Sequence, residues 1–404
     1  MTHAFTIPAP SVEDLEGPPG GRDRRTGTAR RLPTTAAAAL GLFAAARLGG
    51  FLVLAAVAWA SGKSPLRLLG HSWDSVWYLG IAAHGYVRTQ PIRPPAVVRS
   101  DTAFFPLYPG LLRSVSELTP LSLETAGLLV SWLAAAVAAY GIYLIGNRLH
   151  GRATATALVL LWGLLPHSVV LSMAYTEPVL TAFAAWSLYA VLTGRWVWAG
   201  VLAACAGLAR PNGCAVAAAV LVTAAYEICR TRGRGVSHRL WTGAALAPLG
   251  WCGYVGWVGH RQGDLLGGYF SVQRLWGSRF DLGYDSLHFV KRLLLHGGRF
   301  VFPISLLLVA VAVLLFALLI ADRTPLPLLV HSGVLLLVAL GGAGFFQCKP
   351  RFLLPAFPLL IPLARALVRT ARARPSHAVL VVGALAGLSF AYGAYLVAFA
   401  RTPL

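Results

Sequence analysis

The sequence predicts an all-α integral membrane bundle of about eleven transmembrane helices, on three observations. Of 404 residues, 57% are hydrophobic and only 12% charged, whereas soluble domains carry about a quarter charged residues. The apolar residues come in long, nearly charge-free blocks. The basic residues fall in short breaks between blocks, and alternation puts those breaks on one side of a membrane.

The blocks are 36–60, 121–145, 153–170, 178–192, 197–208, 214–228, 240–258, 300–321, 326–346, 352–367 and 378–400. A helix needs about 20 apolar residues to cross the hydrocarbon, and most blocks are that long. Arginines precede the first block and recur at Arg148 and Arg152, Arg195, Arg230 to Arg239, Arg323, and Arg369 to Arg374. The positive-inside bias places these breaks and the N-terminus in the cytoplasm. The net charge of +20 is thus spread over loop breaks, which argues against a nucleic-acid partner. Residues 1–33, rich in Pro, Gly, Arg and acids, read as a disordered basic cytoplasmic tail. A single polytopic domain, 34–404, follows, and no cleavable signal peptide is evident. The five cysteines show neither metal spacing nor a paired pattern.

With the N-terminus inside, two long hydrophilic segments face outward, 61–120 and 260–298. Three short outward breaks join them, at 174–177, 210–213 and 347–351. Irregular sequence concentrated on one face marks the face where chemistry is expected. In the first long segment, WDSVWYLGIAAHGY (73–86) sets Trp73, Trp77 and Ile81 four apart with Tyr78 alongside. That spacing predicts a short amphipathic helix lying in the bilayer interface, aromatics toward lipid. Pro106 and Pro109 interrupt FFPLYPGLLR (104–113), and Pro109 can start a new helix. The Pro-rich stretch 88–99 between them reads as a mobile flap.

Carboxylates are scarce, 14 in all, so candidates emerge by elimination. The outward face holds Asp74, Asp101, Glu117, Glu124, Glu177, Asp264, Asp281 and Asp285. Asp74 lies at the lipid boundary between Trp73 and Trp77, where a charge costs free energy unless it is used or paired. Asp74 or Ser72 can equally cap the following helix, and the residues alone leave both readings open. Glu177 can be a first-turn acid behind Thr176 and before Pro178, or a carboxylate that hydrogen-bonds a polar substrate. Arg210, Lys349 and Arg351, at outward ends of spans, either snorkel to the interface or hold an anionic lipid headgroup. Arg47, inside the first block, faces the bundle or a cavity, or snorkels. His71, His84 and His288 match no tight metal spacing. No cofactor is expected, and a divalent metal is not favoured.

Together these segments resemble the PIG-V family, the second mannosyltransferase of GPI-anchor assembly, and its bacterial relatives in the GT-C superfamily. The matching pieces are WDSVWYLGIAAHGY, FFPLYPGLLR, MAYTEPVLTAFAAWSLY (173–189), GLARPNG (207–213) and, more loosely, KPRFLLPAFPLL (349–360). The segment 260–298 matches nothing in the family. The resemblance implies a GT-C-like bundle with a large first extracytoplasmic loop. It implies transfer of mannose from a polyprenyl-phosphate donor, on the extracytoplasmic face, to a polar glycan, glycolipid or protein acceptor. It also makes Asp74 the catalytic base. The expected substrate-binding residues are Trp73, Trp77, Tyr86, Phe105, Tyr108, Tyr175 and Glu177. Arg210, Lys349 and Arg351 are the candidates for the donor phosphate, whose developing charge needs fixed cations. The Ala-, Gly- and Arg-rich composition points to a GC-rich bacterial genome, so the acceptor would differ from a GPI intermediate. Three rivals stay open: a GT-C transferase using another lipid-linked sugar, a lipid or solute transporter, and a non-catalytic membrane scaffold. The sequence shows no internal repeat of the kind transporters carry.

Overall fold

Each apolar block becomes a helix or a pair of helices in a computed structural model, which describes residues 34–87, 89–92, 97–400 and 402. The expected disordered tail, 1–33, lies outside the described residues, as do Arg88 and 93–96 of the expected flap. The chain opens with α1 (Thr34–Ala60), α2 (Pro65–Gly70) and α3 (Asp74–His84). A hairpin of β1 (Thr89–Ile92) and β2 (Val97–Ser100) follows, then α4 (Leu107–Leu118). Next come α5 (Leu123–His150), α6 (Arg152–Gly163), α7 (Glu177–Leu192), α8 (Trp196–Ala209), α9 (Cys214–Thr231), α10 (His238–Leu246) and α11 (Leu249–Arg261). The second long segment forms α12 (Gly268–Leu275), β3 (Arg279–Phe280) and α13 (Tyr284–His296). The chain closes with α14 (Val301–Ala321), α15 (Leu326–Gly341), β4 (Gly342–Ala343), α16 (Lys349–Phe352), α17 (Ile361–Ala373) and α18 (Pro375–Ala398).

This is a multi-pass membrane protein. Among the described residues, α1, α5, α9, α14 and α18 are long and apolar enough to cross a membrane. A sixth crossing results if Phe346–Phe352 and Phe357–Ala373, bent by 80° at a break that holds Pro355, count as one broken span. The expected eleven blocks are all helical, but α7, α8 and α15 have only 16, 14 and 16 residues. Proline explains the broken blocks, since it removes an amide donor and clashes with the preceding turn. The 153–170 block stops at Gly163 and continues past Pro166 only as a 3-10 turn, Ser168–Ser172. The 240–258 block divides into α10 and α11 at Pro248.

Local chemistry sets the other boundaries. The Ser122 hydroxyl accepts the Thr125 amide to start α5, and Glu124 occupies its first turn. Gly151, at φ 81°, ends that helix in a conformation that costs glycine nothing. Small residues bring the helices together: a Cβ on Gly141 of α5 would lie 3.0 Å from Ala185 of α7. Such close backbone approach is how helices bind one another where lipid removes the hydrophobic driving force.

Two apolar clusters result. One gathers α1, α5, α6, α14, α15, α17 and α18; the other gathers α3, α4, α8, α11 and α12. Trp73 packs against the first and Trp77 against the second, so Asp74 sits on the seam. This corrects the expectation for α3. Its aromatic face is covered by protein rather than lipid: Tyr78 and Ile81 are buried, and Trp77 stacks on Phe104 and meets Trp276 edge-on. In its described part the expected flap forms a hairpin, Thr89–Ile92 pairing antiparallel with Val97–Ser100.

Candidate active site

The site begins at a strained residue. Trp73 has φ 49° and ψ −111°, outside the regions open to residues with a Cβ, and such strain clusters at functional positions. It turns the chain from α2 into α3, whose first residue is Asp74. No side chain caps this helix, so the capping role open to Ser72 and Asp74 is not taken. Ser72 instead exchanges bonds with Ser75, whose hydroxyl donates to the Ser72 carbonyl at 2.6 Å.

The Asp74 carboxylate meets Arg351, with Nη1 2.9 Å from Oδ2. Arg351 also turns its Nε toward Glu177, 3.1 Å from Oε1. Arg210 Nη1 approaches the same Oε1 at 2.5 Å and donates to the Thr176 hydroxyl at 3.1 Å. Thr176 therefore serves Arg210 rather than capping α7. Four residues from four distant segments thus close into a neutral cluster of two carboxylates and two guanidiniums. Glu177 is 1% exposed, Arg351 4%, Arg210 9% and Asp74 21%. Both guanidiniums lie over the Phe352 ring, 5.4 Å from Arg210 and 5.2 Å from Arg351. Tyr175, fully buried, lies under Arg351 and accepts the Asp74 amide at 3.3 Å.

The remaining outward acids have other partners. Glu117 pairs with Arg113, Glu124 with His71 and Asp285 with Arg279. Asp264 and Asp281 accept backbone amides of their own turns, and Asp101 is buried and partnered. Arg47 faces inward, its Nη1 2.5 Å from the Ser168 carbonyl. Among the described residues no group of three or more His, Cys, Asp or Glu could hold a metal ion, and His71, His84 and His288 do not converge.

A cavity of about 740 Å³ opens beside the cluster, within the ~300–1,000 Å³ usual for ligand sites. Asp74, Arg210 and Arg351 line it, while Glu177 stands behind them. Of the aromatics expected to bind substrate, Trp73, Trp77 and Phe105 reach the cavity. Tyr86, Tyr108 and Tyr175 do not. The Tyr86 and Tyr108 hydroxyls are spent on the carbonyls of Phe104 and Gly127, at 2.8 and 2.9 Å, so they brace the wall from behind. Lys349 lines the cavity too, yet its ammonium already donates to Ala339 O, Gly342 O and Ser286 Oγ at 2.5, 2.7 and 2.8 Å. Those three bonds use all its N–H groups. Lys349 ties β4, which pairs with β3, to the first turn of α13 rather than offering a free charge.

Sequence reasoning missed much of the wall. Tyr269, Gln273 and Trp276 come from 260–298, which carried no motif, and Arg99 comes from the expected flap. One signal was present: a loop holding Trp276 among charges needs something to pack it against.

No family model matches the chain, and neither does any curated protein. Among solved structures it is similar to the oligosaccharyltransferase of Archaeoglobus fulgidus in its apo form. The TM-score is 0.53 at 13% identity, covering 91% of this chain and 56% of that one. It is also similar to ArnT from Cupriavidus metallidurans bound to undecaprenyl phosphate, with a TM-score of 0.50 at 15% identity, covering 88% and 75%. Likeness at such identity is likeness of fold. The chain shares the fold of these two membrane proteins, and it spans little more than half the length of the oligosaccharyltransferase.

Proposed function

We propose that this protein is a membrane glycosyltransferase that moves a sugar from a polyprenyl-phosphate donor to an acceptor hydroxyl, on the extracytoplasmic face and with inversion. Mannose is the sugar, on the PIG-V-like motifs. The single observation that carries the reading is the Asp74–Arg351–Glu177–Arg210 cluster at a cavity wall. It puts a candidate base and two candidate phosphate-binding cations in one place. The shared fold supports it, since one protein of that fold holds undecaprenyl phosphate.

The chemistry follows from the donor. The acceptor oxygen attacks the sugar C1 from the face opposite the phosphate. The C1–O(phosphate) bond breaks, and its electron pair leaves with the lipid phosphate. Asp74 takes the hydroxyl proton, a role worth about 10²–10⁴-fold. Arg351 and Arg210 stabilise the charge that develops on the leaving phosphate, as fixed donors that need no reorganisation. Glu177 holds both guanidiniums in place.

The test is a membrane assay with radiolabelled polyprenyl-phosphate mannose. Wild type is expected to transfer label, and Asp74→Asn to lose at least about 10²-fold of that rate with the fold intact. Undiminished transfer by Asp74→Asn would remove the base. Transfer only from another polyprenyl-phosphate sugar would leave the mechanism and change the substrate.

A further inference from the structure

The cavity has a second positive pole that the tetrad does not include. Arg99, on β2, lines the same cavity as Asp74. Its guanidinium lies over the Trp276 ring, 4.9 Å from the centroid. Among the described residues no carboxylate pairs with it, and its buried Nε has no hydrogen-bond partner. A buried donor without a partner costs about 1–3 kcal/mol, so such a group is retained where something else supplies the acceptor.

The other cavity cations are already committed. Arg210 and Arg351 are neutralised by Glu177 and Asp74, and Lys349 is spent on three oxygens. Arg279 pairs with Asp285, and Arg274 is exposed and donates to Ser271. Arg99 alone among these combines a half-buried side chain, a buried Nε without a partner and a charge no carboxylate among the described residues balances.

Its position relative to Asp74 is fixed by a run of rings. Trp276 meets Trp77 edge-on at 4.9 Å and Phe104 at 5.2 Å, and Trp77 stacks on Phe104 at 5.6 Å. Trp77 lies one turn along α3 from Asp74. The wall therefore runs from the carboxylate, across apolar ring faces, to the free guanidinium. Aromatic faces suit the C–H faces of a sugar, and a guanidinium stacked on indole is held ready for a planar or tetrahedral oxyanion.

We propose that Arg99 and Trp276 form an anion-binding subsite for the acceptor, so that the acceptor is an anionic glycan. It carries a phosphate or carboxylate set apart from the hydroxyl that reacts by the span of the Trp77–Trp276 aromatic wall. The proposal rests on the transferase reading in placing the reacting hydroxyl at Asp74. The donor phosphate goes to Arg351 and Arg210, at the other end of the wall.

The experiment is calorimetric titration of the purified full-length protein in detergent with three probes. These are a hexose 6-phosphate, the matching neutral methyl hexoside, and undecaprenyl phosphate. Wild type is expected to bind the sugar phosphate about tenfold or more tighter than the neutral sugar. Arg99→Ala and the longer Arg99→Gln are both expected to erase that preference while leaving undecaprenyl phosphate binding unchanged. A preference that survives in both variants overturns the subsite. Equal loss of undecaprenyl phosphate binding gives Arg99 to the donor and overturns the acceptor assignment. Asp74→Asn separates the two readings. If sugar-phosphate preference depends on Arg99 but no variant or wild type transfers sugar, the anion subsite stands and the transferase reading falls.

Discussion

Arg351 stands 2.9 Å from Asp74 and, through a different nitrogen, 3.1 Å from Glu177. One guanidinium therefore joins the carboxylate on the cavity wall to the carboxylate behind it. This makes the site's electrostatics a property of four residues together, and substitutions in it should not behave independently.

Glu177 is the residue whose loss should cost most in stability. Replacing it by Gln leaves Arg210 and Arg351 as buried cations with only Asp74 between them. Breaking a buried pair in this way costs about 3–5 kcal/mol. The expected result is a fall in the apparent melting temperature in detergent for Glu177→Gln that is clearly larger than for Asp74→Asn, whose carboxylate is partly exposed.

Lys349 should prove structural. Lys349→Met removes three hydrogen bonds, taking from the Ala339 carbonyl its ammonium donor and leaving the Gly342 carbonyl with the Ser286 hydroxyl, at about 1–3 kcal/mol. Amide hydrogen exchange is expected to rise in 279–287 and 342–344. Undecaprenyl phosphate affinity should change less than in Arg351→Lys, and a larger change would return Lys349 to the phosphate site.

Gly207 controls one wall. A Cβ there would lie 2.7 Å from the Trp251 amide nitrogen, so Gly207→Ala pushes α11 away from α8, at about 1–3 kcal/mol. Trp251 lines the cavity, and activity should fall with stability. Gly253→Ala, on α11 with nothing near its added carbon, is the control and should be neutral in melting and transfer.

Orientation can be read by labelling. Leu118 and Leu282 are each 84% exposed, on the two long segments expected outside. In a chain with its five free cysteines replaced, Leu118→Cys and Leu282→Cys should react with an impermeant maleimide on intact cells. Arg323→Cys should react only after the membrane is opened. The reverse pattern would place the candidate site on the cytosolic side and end the proposed function.

The helical blocks were legible because apolar length is a one-dimensional property. Their breaks at Pro166, Pro248 and Pro355 were written in the sequence too, but inside blocks that still averaged apolar. Asp74, Glu177, Arg210 and Arg351 could be singled out as rare charges at outward ends. That they contact one another could not, because contact depends on how α3, α7, the end of α8 and α16 converge. Tyr108 and Tyr175 lay in motif-bearing segments yet are wall supports, since a motif does not say which side of a wall a ring faces. Arg99 and Trp276 carried no signal alone; each acquires meaning only from the other.

The order of the four charged residues along the chain has a consequence for synthesis. When residues through 210 have been made, Asp74, Glu177 and Arg210 together carry one net negative charge. Arg351 arrives only after the seven helices α9 to α15, and with it the sum reaches zero. A nascent or truncated chain ending before α16 therefore presents an unbalanced acid at its seam, a chemical mark of incompleteness that the finished protein no longer bears.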